Sequence, residues 1–312
     1  MSRIHVLHEN PAWLPPLAEA FDRHALPWTE WLLDGGAFDL SAPPPAGVFY
    51  NRMSASSHTR DHRFSAELTA AVLAWLAGHG RRVVNGPAAL DLEISKARQY
   101  AALEAAGVAT PRTVLVAGRG RIVPAAGAHF AGGPVILKPN RGGKGLGVRL
   151  FRDAASLAAH VDGPDYEPPV DGLHLLQEYV QAARPSITRA EFVGGRFLYA
   201  VEVDTSGGFE LCPADVCAVP EAAPKFRILD GIDRALQARL ERFLAASGIE
   251  VAGVEFIAGP DGRALAYDVN TNTNYNPDAE RAAGRAGTDR SGPGALAAFL
   301  GGELATLRSR AA

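Results

Sequence analysis

Residues 135–151, VILKPNRGGKGLGVRLF, set four glycines between two short apolar runs, and no other stretch restricts the fold as tightly. Glycines at that density mark backbone that must approach a ligand closely or adopt conformations closed to other residues. A Walker A loop would end in Gly-Lys-Ser/Thr and open a helix, but here Gly147 is followed by Val148. The dinucleotide-binding fingerprint G-x-G-x-x-G fails in this register and also demands a helix. The glycines lead instead into GVRLF, whose alternation and β-branching predict a strand. The stretch is therefore predicted to be a hairpin flap, with Lys138 on the strand before the glycines. Protein kinases also carry a flap, but place their phosphate-binding lysine on the strand after it. Alone, such a loop reads first as a plain surface hairpin with a mobile tip. A catalytic reading needs metal ligands elsewhere.

The rest of the chain alternates strands and helices. Residues 3–90 are expected to form an α/β unit, with RIHVL, GVFYNR and RRVVNG as strands and PAWLPPLAEAFDRHA and 61–79 as helices. A helix over 91–107 ends at Gly107, and Pro111 begins a new segment. Strands, the glycine loop and a helix opened by Asp153 occupy 113–161. ITRAEFVGGRFLYAVEV and VAGVEFIAGPDGRALAYDVN each read as strand–turn–strand. Residues 230–247 place Ile232, Leu236, Leu240, Phe243 and Leu244 on one helical face. With 312 residues, 47% hydrophobic and 21% charged, the chain is long enough for two or three subdomains with their own cores. A net charge of −3 and scattered arginines give no nucleic-acid footprint. Two cysteines, Cys212 and Cys217, imply no disulfide framework. No apolar run reaches the length of a membrane span, and the first residues lack the apolar core of a signal peptide. A cytoplasmic location is the expectation.

Candidate metal ligands occur in GVEFIAGPDGRALAYDVNTN. If Asp261-Gly262 forms a two-residue turn, Glu255 lies directly opposite Asp268, and Asn270 points to the same face. Opposed like charges destabilise a sheet unless something compensates them. Two carboxylates and an amide oxygen form a hard-oxygen set suited to Mg²⁺, with phosphates and water completing the octahedron. The competing reading is a polar sheet face with a lysine or arginine nearby. On the metal reading, Asp268→Asn leaves the metal-free fold intact or slightly more stable.

Taken in order, these features resemble the ATP-grasp superfamily, in particular its RimK-like and glutathione-synthetase-like carboxylate–amine ligases. VVNGPAALDLEISKARQYAALEAAGVATPRT is similar to the family's lead-in to the central subdomain, with Lys96 as the first nucleotide lysine. VILKPNRGGKGLGV is similar to its second lysine and phosphate flap, here Lys138 with Gly142, Gly143, Gly145 and Gly147. LLQEYV resembles the hinge that reads adenine through backbone groups, at Gln177, Glu178, Tyr179 and Val180. In SITRAEFVGG, Arg189 matches the arginine facing the reaction centre, a catalytic role, and Glu255, Asp268 and Asn270 match the magnesium positions.

The resemblance implies an α/β (α+β) ATP-grasp fold. An N-terminal α/β subdomain (1–90) would precede a central subdomain (91–172) and a C-terminal one (173–312), both α+β, which clasp ATP between them. It further implies a ligase dependent on ATP and Mg²⁺ (or Mn²⁺) that forms an amide or peptide bond through an acyl phosphate. Glutamate-like addition to a small molecule or peptide is one form of that reaction. The implied partners are ATP and small-molecule or peptide carboxylate and amine substrates, with no nucleic acid, no membrane, and a homo-oligomer left open. Two positions depart from the pattern. No carboxylate follows the hinge until Glu191, where relatives often hold the ribose, and Asp268 stands where relatives commonly carry Glu.

Substrate candidates are less defined. FYNRMSASSHTRDHRF, residues 49–64, follows a strand end in the first subdomain, where open α/β sheets bind ligands. Arg52, Arg60 and Arg63 either capture a substrate carboxylate there or belong to a solvated polar loop. His58 and His62 are four apart, a spacing that binds zinc on a helix, but no further ligands accompany them. Asn272, Asn274 and Asn276 in TNTNYNPD either line the acyl site or cap a turn-rich loop. Two other functions stay open: a small-molecule kinase that stops at phosphoryl transfer, and a nucleotide-binding regulator without turnover.

Overall fold

β1 (Arg3–His8), β2 (Trp28–Leu32), β3 (Gly47–Asn51) and β4 (Arg82–Val84) form a parallel sheet in the order β2-β1-β3-β4, linked through α1 (Pro15–Arg23) and α2 (Ser65–Gly78). The computed structural model describes residues 2–143, 145–206 and 225–311; Cys212 and Cys217 lie outside them. β3 is buried along its whole length, as a central parallel strand requires. The sequence pattern misses β2, because WTEWL stays half exposed at the sheet edge and shows no apolar run. The helix expected over 61–79 begins only at Ser65. Asp61, left-handed at φ 64°, closes a short 3₁₀ turn before it.

The helix expected over 91–107 is in fact two, α3 (Pro87–Glu93) and α4 (Lys96–Ala105). Ser95 is extended at φ −148°, and its side chain caps α4 by accepting from the Arg98 N–H. This break puts Lys96 in the first turn of α4.

The second sheet is antiparallel, ordered β5-β8-β6-β7, from β5 (Thr113–Ala117), β6 (Val135–Pro139), β7 (Arg149–Phe151) and β8 (Leu173–Glu178). α5 (Ile122–Phe130) and α6 (Ala154–Asp162) contribute to its apolar core, and Asp153 caps α6 as expected. β6 and β7 pair around the glycine loop, Val135 opposite Phe151, so the predicted hairpin flap is present. At its base, Asn140 Oδ1 accepts from the Ala97 N–H at 2.9 Å and ties the loop to the start of α4.

The third sheet is antiparallel, ordered β11-β10-β9-β12-β13. It comprises β9 (Ser186–Val193), β10 (Arg196–Asp204), β11 (Phe226–Leu229), β12 (Val251–Ala258) and β13 (Ala264–Asn270). α7 (Arg234–Ala246) buries Leu236, Leu240, Phe243 and Leu244 beneath it, as its periodicity predicts; Ile232 packs on the same core from just before the helix. α8 (Pro277–Ala282) and α9 (Gly292–Ala311) complete the chain. Sheet membership cuts across the subdomain boundaries read from sequence. Leu173–Glu178 pairs within the second sheet, and Leu296, Leu300 and Leu304 of α9 join Ile4, Val6 and Tyr50 in the core of the first.

The β12–β13 turn differs from expectation in a way that matters. It is a three-residue loop, with the Gly262 N–H donating to Gly259 O at 2.9 Å and Gly262 left-handed at φ 76°. Pro260 suits the first central position of such a turn and Gly262 the left-handed one. One extra turn residue would shift the register, yet an irregularity between Glu255 and Phe256 restores it, because Tyr267 is bulged out of the ladder. Glu255 therefore does face Asp268, through two changes that cancel.

Asn85 joins the first and third sheets. Its Nδ2 donates to Val251 O (2.8 Å) and Thr271 O (3.0 Å), and its Oδ1 accepts from the Glu250 and Val251 N–H groups (2.9 and 3.1 Å). The residue is buried with φ 55°, a conformation Asn tolerates better than most. Asn85→Gly keeps that backbone conformation and removes all four bonds. It is expected to lower the unfolding free energy by about 3 kcal/mol, measured by denaturant titration; a loss within error of zero would mean that the joint contributes nothing.

Candidate active site

Strand pairing sets charged side chains in a row across the third sheet. Glu255 of β12 stands between Asp268 of β13 and Arg189 of β9, its partners on either side. Lys96 reaches over from α4 to Asp268 Oδ1 at 2.5 Å, and Arg189 Nη1 donates to Glu255 Oε1 at 3.0 Å. The like-charge pair expected from sequence is thus compensated twice, once for each carboxylate. The expectation that Asp268→Asn stabilises the metal-free fold is corrected accordingly, since that change would leave the buried Lys96 ammonium without its partner. Arg189 is further fixed by Glu191 (2.8 Å) and by Thr273 Oγ1 (2.7 Å). Gly253 makes room for it, because a Cβ there would stand 2.5 Å from Arg189 Nε.

Burial disfavours the Lys96 ammonium, but Asp268 outweighs it and leaves the pKa raised. Burial likewise pushes Asp268 upward, and Lys96 overcomes this to leave it lowered. Both groups are therefore charged near neutral pH. Burial raises Glu255 to about 7 despite Arg189. Asn270 Nδ2 lies 3.4 Å from both Glu255 Oε1 and Asp268 Oδ2, so the three expected metal ligands converge. Among the described residues no group of three His, Cys, Asp or Glu side chains gathers to hold a metal. Two carboxylates and an amide oxygen suit instead a hard cation that takes its remaining ligands from phosphate and water. The donor set fits Mg²⁺, with the Asn270 amide turned to present its oxygen.

Beside this row lies a cavity of about 470 Å³ between the second and third sheets. Lys96, Lys138, Gly142, Gly143 and Gly145 line it, as do Gln177, Glu178, Tyr179 and Val180. Gly147 is not among the lining residues; it is left-handed at φ 73°, packed against Pro139, and shapes the loop from outside the cavity. Glu178 Oε1 accepts from the Arg112 N–H (2.7 Å), and Gln177 Nε2 donates to Tyr100 Oη and Thr113 Oγ1, so each side chain is anchored at one end. Ile136, Leu150, Ile187 and Ile257 supply apolar walls. Lys138 is buried with Nζ 2.5 Å from Tyr100 Oη. The sequence reading misses Tyr100 and Tyr267, whose only prior signal is that Tyr100 follows Lys96 by one helical turn.

A second, smaller cavity of about 70 Å³ shares Lys96, Gly142, Gly143, Gly145, Glu255 and Asp268 with the first. Its other walls include Trp13, Ser54, Glu93, Arg189, Asn272 and Asn274. Arg52, a candidate for capturing a substrate carboxylate, instead hydrogen-bonds Asn272 and Asn274 from behind and does not line the cavity. Arg60 and His62 both bind the buried Glu9 carboxylate, and Arg63 bonds Val170 O, so neither arginine is positioned to capture substrate. His58 lies within the 3₁₀ turn Ser57–Arg60 and His62 just beyond it, where its Nδ1 pairs with Glu9 Oε2 at 2.9 Å. Asn276 caps α8 by accepting from the Ala279 N–H, the simpler of its two readings.

No protein-family model and no curated protein matches the sequence. Solved structures do match the fold. A RimK domain protein ATP-grasp from Sphaerobacter thermophilus superposes with TM-score 0.65 at 21% identity, over 95% of this chain and 99% of its own. The ATP-grasp ligase PsnB, complexed with a variant of its minimal precursor, Mg and ADP, gives 0.64 at 19% identity over 97% and 99%. D-cycloserine synthetase DcsG gives 0.64 at 19% identity, also over 97% and 99%. The chain has the ATP-grasp fold.

Burial, then repulsion from Lys96, lowers the Lys138 ammonium to about 7 from an ordinary value of 10.5. The folded state thus disfavours the proton that the unfolded chain keeps. That cost is fully present below pH 7 and disappears as pH rises toward 10.5. Lys138→Met is expected to raise the melting temperature of the unliganded protein at neutral pH, with the gain shrinking as pH rises, while ATP affinity falls roughly tenfold or more. Melts across pH and calorimetric titration test both halves; unchanged ATP affinity would take Lys138 out of the site.

Proposed function

We propose that the protein is an ATP-dependent carboxylate–amine ligase working through an acyl phosphate. The observation that carries this reading is the shared wall between the two cavities. The larger one has the volume and apolar walls for a nucleotide, and the smaller one opens where its phosphates would end. An acid held there would meet the γ-phosphate beside Glu255 and Asp268. The ATP-grasp ligase PsnB is complexed with Mg and ADP, which supports a nucleotide as the occupant of the larger cavity.

Glu255, Asp268 and Asn270 would hold magnesium, which would supply charge neutralisation for the nucleotide phosphates. Lys96 and Lys138 would exchange their present partners, Asp268 and the Tyr100 hydroxyl, for phosphate oxygens. One carboxylate oxygen of the acid attacks the γ-phosphorus, and ADP leaves with the bridging oxygen. The amine nitrogen then attacks the acyl carbon, inorganic phosphate departs, and the nitrogen loses a proton. Arg189, braced by Glu191, Glu255 and Thr273, would hold fixed positive charge beside the transferring group without reorganising. The flap would close over ATP and exclude the water that destroys acyl phosphates.

Incubating the protein with Mg-ATP, pooled amino acids and hydroxylamine should yield hydroxamate together with ADP. Phosphorylated alcohol without hydroxamate would replace this reading by the kinase one. Asp268→Asn should reduce hydroxamate formation by on the order of a hundredfold or more and cost about 3 kcal/mol of stability through the orphaned Lys96. Full magnesium-dependent turnover in that variant would remove the proposed metal site.

A further inference from the structure

We infer that Asn272 and Asn274 form a pair of neutral N–H donors, oriented by Arg52, that binds a carboxylate of a small acid substrate in the second cavity. The inference rests on the ligase reading for the identity of that cavity. Arg52 follows β3 and is buried; its Nε donates to Asn272 Oδ1 at 3.2 Å and its Nη2 to Asn274 Oδ1 at 2.8 Å. Its Nη1 donates to Trp13 O at 3.0 Å, which fixes the guanidinium plane. A guanidinium only donates, so both amides must turn their oxygens toward it. The nitrogen ends are left for the cavity, and no described residue accepts from either Nδ2.

Two N–H donors side by side suit an oxyanion, whereas an ammonium would meet donor against donor. Arg52 sits behind both amides, and its charge strengthens them as donors through the shared hydrogen bonds. The one carboxylate that lines this cavity away from the metal ligands, Glu93, is already taken up by the Ala55 N–H and by the Thr271 N–H and hydroxyl. Those bonds hold both cavity-forming segments in place. The substrate's charge is thus read by neutral groups, while the arginine that makes them selective never touches it. Arg52 is a positioning residue.

Asn272→Asp and Asn274→Asp test this sharply. Aspartate is nearly the same shape and accepts from Arg52 more strongly, so a purely structural role predicts equal or higher melting temperature and unchanged ligand binding. The binding role predicts retained folding and retained ADP–Mg affinity, but a carboxylate opposing the incoming acid. Thermal shift is measured for wild type and both variants with sodium acetate, sodium succinate and sodium L-glutamate, with and without ADP–Mg, against sodium chloride at matched ionic strength. At least one acid should raise the wild-type melting temperature beyond chloride, and its apparent affinity should fall roughly tenfold or more in each variant. Arg52→Lys, which keeps the charge but cannot bridge two amides, should weaken the same shift and leave ADP binding unchanged. No shift in wild type, or equal shifts in the Asp variants, overturns the inference. Failure of wild type to bind ADP–Mg overturns the ligase reading instead, and the two failures are read from separate arms.

Discussion

The structure turns on one arrangement of charge: Lys96 against Asp268 and Arg189 against Glu255, side by side on the face of the third sheet. Two carboxylates on adjacent strands are tolerable in a mostly apolar setting only because each has its own cation. Each partner comes from a different element, so the pairing holds several local features in place. The break between α3 and α4 exists where Lys96 must enter at a helix start. The bulge at Tyr267 returns Asp268 to the face of Glu255, and Gly253 leaves the hollow in which the Arg189 guanidinium lies.

On the proposed function, the same arrangement pairs the two ligand-binding sets with each other. The cations that would hold phosphate occupy the carboxylates that would hold metal, so neither set is left bare in a region of low dielectric. Binding both ligands together would exchange one complete set of ion pairs for another. Binding either alone would leave the opposite set short of partners. Lys138 stands apart because it has a hydroxyl for company but no directly contacting carboxylate, which is why burial lowers it so far.

The first sheet's contribution is to close the second cavity. The segments after β1 and β3 supply Trp13 and Ser54 to its wall with Arg52 behind it, and Asn85 joins the first sheet to the strands that carry the charge row. On the proposed function, substrate selectivity would depend on how the first and third sheets are joined, and nucleotide chemistry on the second and third.

The local elements around the site could be read from sequence, because each is fixed by neighbours along the chain. Four glycines between strands made a flap, alternation placed Glu255, Asp268 and Asn270 on one face, and the period of α7 marked its buried side. Even the β12–β13 pairing was legible, although by a shorter turn whose missing residue the bulge supplies. Tertiary structure alone decided who faces these groups. Lys96 meets Asp268 across 172 positions and Arg52 meets Asn272 across 220, and no pattern of apolar spacing carries that information. Apolar periodicity reports which face is buried, because burial is non-directional and needs no particular partner. Ion pairs and oriented amides need a particular donor at a particular distance, and only the packing of the three sheets sets that.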